Sequence, residues 1–172
     1  MNPDGHRDLT RDAAAAAGPP RALIIGYGNP LRSDDGIGWR VAEELRGRVD
    51  ASRIEVIECR QLTPEMAEQI RTAGLVVFVD AAAEGAPGEW RHHRLRAEDS
   101  GNALSHGPTP AALLALAADL YGAAPEVHLF TVSGSSFHYG ESFSPEVTQA
   151  LPLVVAEIEG LLRAPGRGNA AG

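Results

Sequence analysis

The chain contains no lysine; all 15 of its basic residues are arginine. That absence removes Schiff-base chemistry, lysine nucleophiles and the lysine of a phosphate-binding loop together. Cysteine is nearly absent too, and the single Cys59 makes neither an intramolecular disulfide nor a cysteine-rich zinc site. Basic charge is outweighed by acidic: the net charge of −8 leaves no positive field to collect phosphates and argues against nucleic-acid binding. No apolar run approaches the roughly 18–20 residues that span a bilayer. The run of five alanines at 13–17 is preceded by acidic residues and followed by Gly18-Pro19-Pro20, a poor secretory signal. These absences together predict a cytoplasmic protein.

What remains is 172 residues, 44% of them hydrophobic, enough for one compact domain and too few for two. The pattern predicts a disordered leader at 1–20, one folded domain at 21–163 and a disordered tail at 164–172. Between leader and tail, strand-like and helix-like periods alternate. "RALIIG" and "GLVVFVDA" are apolar runs suited to strands buried on both faces. "RIEVIEC" and "EVHLFTVSG" also read as strands, and "GEWRHHRLR" reads as an edge strand. "GIGWRVAEELRGR" puts Ile37, Val41 and Leu45 on one helical face, opened by a carboxylate able to cap it. "TPEMAEQIRTA" has Thr63 as N-cap with Pro64 in the first turn. "TPAALLALAADLYG" is a helix closed by Gly122. "SPEVTQALPLVVAEIEGLLR" begins at Ser-Pro, with Pro152 expected to kink it or split it in two. Strand–helix alternation implies an α/β layered domain with a mostly parallel sheet. Ligands of such sheets sit beyond the carboxyl ends of the strands.

Three strand ends carry notable polar groups. The first is followed by Gly26, Gly28, Asn29, Asp34 and Asp35, the third ends at Asp80, and His106 precedes the Ala/Leu helix. A dinucleotide fingerprint fails, because Leu31 stands where a third glycine is needed and two acids repel a pyrophosphate. A serine nucleophile elbow fails as well, since "SGSSF" lacks the glycine that should follow the serine. Cys59 at a strand end is either a thiol nucleophile or a small buried hydrophobe. Two carboxylates and an imidazole could instead converge on one divalent ion and leave coordination positions open. Each of the three has a plainer alternative: Asp35 as a helix cap, Asp80 as a turn residue and His106 as an ordinary loop histidine. Spacing alone leaves these alternatives open.

The ordered set "GYGNPLRSDDGIG", "VVFVDAA", "SHG" before a leucine-rich helix, and "GESFSPEV" resembles the hydrogenase maturation protease family across residues 21–163. The resemblance implies a single three-layer domain. Its sheet would be twisted, five-stranded and mostly parallel, with one antiparallel edge strand and helices on both faces. It implies a nickel site, open to cadmium as a substitute, formed by Asp35, Asp80 and His106, which would also be the catalytic residues. The nickel would be supplied by the substrate. The implied activity is removal of a C-terminal extension from the nickel-iron hydrogenase large-subunit precursor after nickel insertion, and the implied partner is that precursor. Under this reading the turn that ends in two carboxylates holds a cation rather than a phosphate. Gly26 and Gly28 allow a tight bend, Asn29 bonds locally, and Asp34 buttresses the loop or caps the helix. The chain departs from the family after the second strand, where "ECRQLTPEMAE" replaces a glycine-containing segment associated with substrate contact. Two other functions stay in view: a metal-binding maturation chaperone that does not cleave, and a cysteine hydrolase using Cys59.

Overall fold

The computed structural model describes residues 21–100 and 108–164. The expected leader, nearly all of the expected tail and His106 lie outside the described residues. Strands β1 (Arg21–Tyr27), β2 (Ile54–Cys59), β3 (Ala73–Ala82), β4 (Trp90–Leu95) and β5 (Glu126–Ser133) form one sheet in the order β2-β1-β3-β5-β4. β1 pairs in parallel with β2 and β3, and β3 pairs in parallel with β5. β4 is the edge strand that the alternation in "GEWRHHRLR" suggested, and it runs antiparallel to β5. The chain first steps from β1 to β2, then crosses β1 to place β3 on its other side. The strand order therefore reverses between β1 and β3, where doubly wound sheets open their ligand crevice.

Helices α1 (Ile37–Arg46), α2 (Ala67–Arg71), α3 (Pro110–Tyr121) and α4 (Pro145–Arg163) cover the two faces. Successive strand residues point to opposite faces, so each apolar strand feeds two cores. Ile24, Val77, Val79, Phe130 and Val132 pack with Ile37, Val41 and Leu45 of α1 and with Val147, Val154 and Ile158 of α4. Leu23, Ile25, Val76, Phe78 and Val127 pack on the other side with Ile70 of α2 and Leu113, Leu114 and Ala117 of α3. Large side chains buried this fully contribute roughly 1.5–3 kcal/mol each. The result is the expected three-layer α/β domain.

Local signals were followed at some helix ends and overridden at others. At α3, Thr109 caps through its hydroxyl, which accepts from the Ala112 N–H at 3.1 Å, and Gly122 closes the helix at φ 64°. α1 is not capped by a carboxylate: Asp34 and Asp35 fall in a 3-10 turn over Ser33–Gly36, and Gly36 occupies the cap position without a side-chain bond. Both acids are engaged elsewhere, as described below. Thr63 stands at its expected cap position but makes no side-chain cap bond, and Pro64 opens a 3-10 turn that leads into α2. Nor does Pro152 split the last helix, which is continuous from Pro145 to Arg163. Pro152 is exposed, whereas Val154, Val155 and Ile158 just beyond it are buried. Burial of that apolar stripe outweighs the bond the proline cannot donate.

Pro152→Ala should therefore stabilise the domain, because it restores the helical N–H at a solvent-facing position. The gain should be about 2 kcal/mol, the helix penalty of proline partly offset by a more flexible unfolded chain. Urea unfolding would measure it, with the midpoint rising at constant slope.

Candidate active site

The segment after β1 is shaped by close backbone approaches. Gly28 has φ 128°, and a β-carbon there would collide with the Asp35 carbonyl oxygen. Only glycine lets the chain leave β1 in this direction. Gly26 has a different role from the bend expected of it. It lies within β1, facing Gly38 of α1, and a β-carbon on either glycine would strike the other element's backbone. This pair seats the start of α1 directly on the carboxyl ends of β1 and β3.

Beyond the strand, the Asn29 side chain accepts from the Leu31 N–H at 3.0 Å, the local turn its residue type favours. Asp35 then folds back, and its Oδ2 accepts from the Asn29 N–H at 3.0 Å. The half-buried carboxylate is held beside the strand end by one bond, with its remaining acceptor positions open.

Asp34 is fully buried and faces the other way. Its Oδ2 accepts from the Ser135 and Ser136 N–H groups at 2.8 and 2.9 Å, and its Oδ1 from the Ser144 N–H at 2.7 Å. Burial alone would raise its pKa, but these donors outweigh that and hold the carboxyl below its ordinary range. The buttress expected of Asp34 is thus present, spanning more than a hundred residues to the loop after β5. Further bonds stitch the same two segments: Asp34 N–H to Ser136 O at 3.0 Å, Ser33 N–H to Gly140 O at 2.7 Å, and Gly140 N–H to Leu31 O at 2.9 Å.

Asp80 lies near the end of β3, on the far side of the β1/β3 switch from β2. Its Oδ1 accepts from the Ala81 N–H at 2.8 Å, and the Tyr27 side chain lies beside its carboxylate. Burial pushes its pKa up to about 6; the Tyr27 and Ala81 donors oppose the rise, and the nearby Asp35 charge adds to it. Burial first, then the Asp80 charge, also drives the Tyr27 hydroxyl far above its ordinary range. Cys59 ends β2 in register with Tyr27. Burial, then the charges of Asp80 and Glu58, push its thiol up to about 11. At neutral pH this sulfur is a thiol, not the thiolate that a cysteine hydrolase needs. Of the three expected ligands, the structure brings Asp35 and Asp80 together at one end of the sheet, and His106 is not among the described residues. Among the described residues no group of three His, Cys, Asp or Glu side chains is gathered to hold an ion.

Several solved structures with this fold are named for one process. The hydrogenase maturating endopeptidase HybD from E. coli superposes with a TM-score of 0.70 at 23% identity, covering 85% of this chain and 94% of its own. The [NiFe] hydrogenase maturation protease HycI from Thermococcus kodakarensis KOD1 matches with a TM-score of 0.69 at 26% identity, over 83% of this chain and 92% of its own. A hydrogenase 2 maturation peptidase from Thaumarchaeota archaeon SCGC_AB-539-E09 gives 0.65 and 26%, over 83% and 97%. The chain thus shares its fold with proteins named as hydrogenase maturation proteases. No family model matches the chain, and no curated protein matches it in sequence.

Against that family's fold, two features of the crevice were missed by sequence reasoning. Tyr27 is the last residue of an apolar strand, where a tyrosine is ordinary, and only the pairing of β1 with β3 brings its hydroxyl to Asp80. The loop from Gly134 to Ser144 was read only as a failed serine motif and a family signature. Its signal was present as small polar residues with free amides following a buried strand, the composition of an anion-holding turn. The remaining described histidines do not join the crevice. His128 is buried in β5 with its Nδ1 2.6 Å from His92 Nε2 of β4 and its Nε2 3.1 Å from Glu126, near the amino end of β5.

Asp80 and Asp34 predict opposite effects. Asp80 binds a proton more tightly folded than unfolded, so its contribution to stability is complete below about pH 4 and is lost as pH rises through about 6. A rise from 3.8 to about 6 corresponds to roughly 3 kcal/mol. In chelator-treated protein, Asp80→Asn should therefore gain stability over wild type at pH 7 and lose that advantage at pH 4, read as the crossing of the two Tm–pH curves. Asp34→Ala should instead cost roughly 3 kcal/mol at pH 7, because three backbone donors lose a charged acceptor at once.

Proposed function

We propose that the protein is an endopeptidase that trims the C-terminal extension of a nickel-iron hydrogenase large-subunit precursor after the precursor has received its nickel. The observation that carries this reading is the placement of Asp35 and Asp80 at the β1/β3 switch point of a fold shared with proteins named as hydrogenase maturation endopeptidases. The nickel is cargo of the substrate, and cadmium would serve as its substitute. Asp35, Asp80 and His106 are the proposed ligands and catalytic residues.

The described part of the crevice fits a divalent cation. Asp80 is a half-buried carboxylate with a raised pKa beside a second carboxylate, so an incoming cation relieves both desolvation and repulsion. Two hard oxygen donors with an imidazole suit a borderline divalent ion and hold it less tightly than thiolates would. A cation held there would polarise a peptide carbonyl or a water molecule. The chain's own residues set up that chemistry. Asn29 orients Asp35 through its backbone N–H, and the Ala81 N–H orients Asp80 beside the Tyr27 side chain. With its pKa near neutrality, Asp80 is also able to take up or release a proton in the crevice.

Incubation with nickel-loaded precursor, followed by intact-mass analysis, tests the proposal: the precursor should lose its C-terminal segment and nickel-free precursor should not. Asp35→Ala, Asp80→Ala and His106→Ala should each abolish shortening and weaken cadmium binding by tenfold or more. Cys59→Ser should retain activity, given the protonated thiol. Tight binding of loaded precursor without shortening would favour the non-cleaving chaperone, and loss of activity in a folded Cys59→Ser variant would favour the thiol hydrolase.

A further inference from the structure

We infer that the loop from Ser135 to Phe143 is a preformed docking lip for the protein substrate and that Tyr139 is its anchor. The inference rests on the endopeptidase reading above and concerns how an extended polypeptide reaches the crevice. The loop leaves the carboxyl end of β5 and returns to α4, so it stands at the end of the sheet where Asp35 and Asp80 lie.

Its backbone is already committed. The Asp34 carboxylate takes the N–H groups of Ser135, Ser136 and Ser144. The His138 carbonyl accepts from Ser33 Oγ at 3.2 Å, the Phe137 carbonyl from Arg32 Nε at 3.3 Å, and Gly140 exchanges bonds with Leu31 and Ser33. A loop held this way presents its side chains without an ordering cost at the moment of binding.

The aromatic residues of the loop divide in two. Phe137 and Phe143 are half-buried, with Phe143 packed on the core beneath α4. Tyr139 is 88% exposed, more than any other exposed large hydrophobic among the described residues. The others lie elsewhere. Leu120 and Tyr121 end α3 at the amino end of β5, where Arg71 covers the Tyr121 ring at 5.2 Å, and Leu153 is on the outer side of α4. Tyr139 alone of these is fastened to the segment that carries Asp35.

An exposed tyrosine on a rigid loop supplies large amphipathic contact area with few rotamers to freeze, the usual character of an interface anchor. The occupant is an extended segment of the substrate protein leading to its cut site, offering an apolar side chain to the ring. Exposed Arg32, His138 and Glu141 provide a polar rim around that contact.

Binding of the nickel-loaded precursor by calorimetry, alongside the kinetics of its shortening, tests the lip. Tyr139→Ala should raise the Kd tenfold or more, with the loss appearing in KM, while cadmium alone binds as to wild type. Tyr139→Phe should recover most of the affinity. In an Asp34→Ala background, where the lip is untied, Tyr139→Ala should cost less than threefold further. Precursor affinity within twofold of wild type for Tyr139→Ala overturns the inference, as does a full tenfold loss in the untied background. Wild type that binds but does not shorten the precursor defeats the endopeptidase reading and leaves the lip standing if Tyr139→Ala weakens that binding. Wild type that does not bind the precursor defeats both.

Discussion

A single buried carboxylate ties the two ends of this fold together at its chemically interesting edge. Asp34 has no exposed surface, yet it carries a charge stabilised by the backbone N–H groups of Ser135, Ser136 and Ser144. A buried anion is tolerable only when its lone pairs are met by well-placed donors. Here those donors come from a segment about a hundred residues away, so the charge can be satisfied only once β1 and β5 are in place on either side of β3. The site loop and the lip are therefore products of the complete sheet, not of local sequence.

That dependence separates three neighbouring acids into three states. Asp34 is saturated with donors and serves as structure. Asp35, one residue on, faces the crevice with one backbone donor and spare acceptor positions. Asp80 is half-buried with fewer donors than its charge needs, so its pKa is raised while that of Asp34 is lowered. Residue type does not distinguish them; the balance of burial against donors does. The environment that raises Asp80 also raises Tyr27 and Cys59, so the crevice resists accumulating negative charge on any of the three.

Much of the architecture was legible because burial leaves a periodic record. The wholly apolar "LVVFV" run had to be a central strand, and the alternation in "WRHHRL" had to be an edge. The Ile37, Val41 and Leu45 stripe had to face a sheet. What was illegible was local capping wherever a distant segment competed. A carboxylate before a helix ordinarily caps it, but Asp34 finds three amides in the loop after β5 and Asp35 finds the Asn29 amide instead. Pro152 ordinarily ends a helix, but a stripe of buried valines and Ile158 beyond it keeps the helix going. The position of Asp35 and Asp80 at strand ends was readable from the apolar runs that precede them. The Tyr27 contact was not, because it depends on strand order, which periodicity does not encode.

The glycines complete the physical logic of the crevice. Gly26 and Gly38 bring the first turn of α1 against the ends of β1 and β3 more closely than any side chain would allow. The backbone so approached, at Tyr27 and Val79, adjoins the half-buried Asp80 and Tyr27 side chains, and burial is the first cause of both raised pKa values. A looser junction, with alanine at position 38, would force α1 outward and let solvent reach Asp80, returning its carboxyl toward an ordinary, fully ionised state. The same opening would displace Asp35, whose carbonyl oxygen abuts Gly28. The tightness of the glycine contact and the chemistry of Asp80 are thus linked: close backbone packing limits the solvent that would otherwise satisfy this acid.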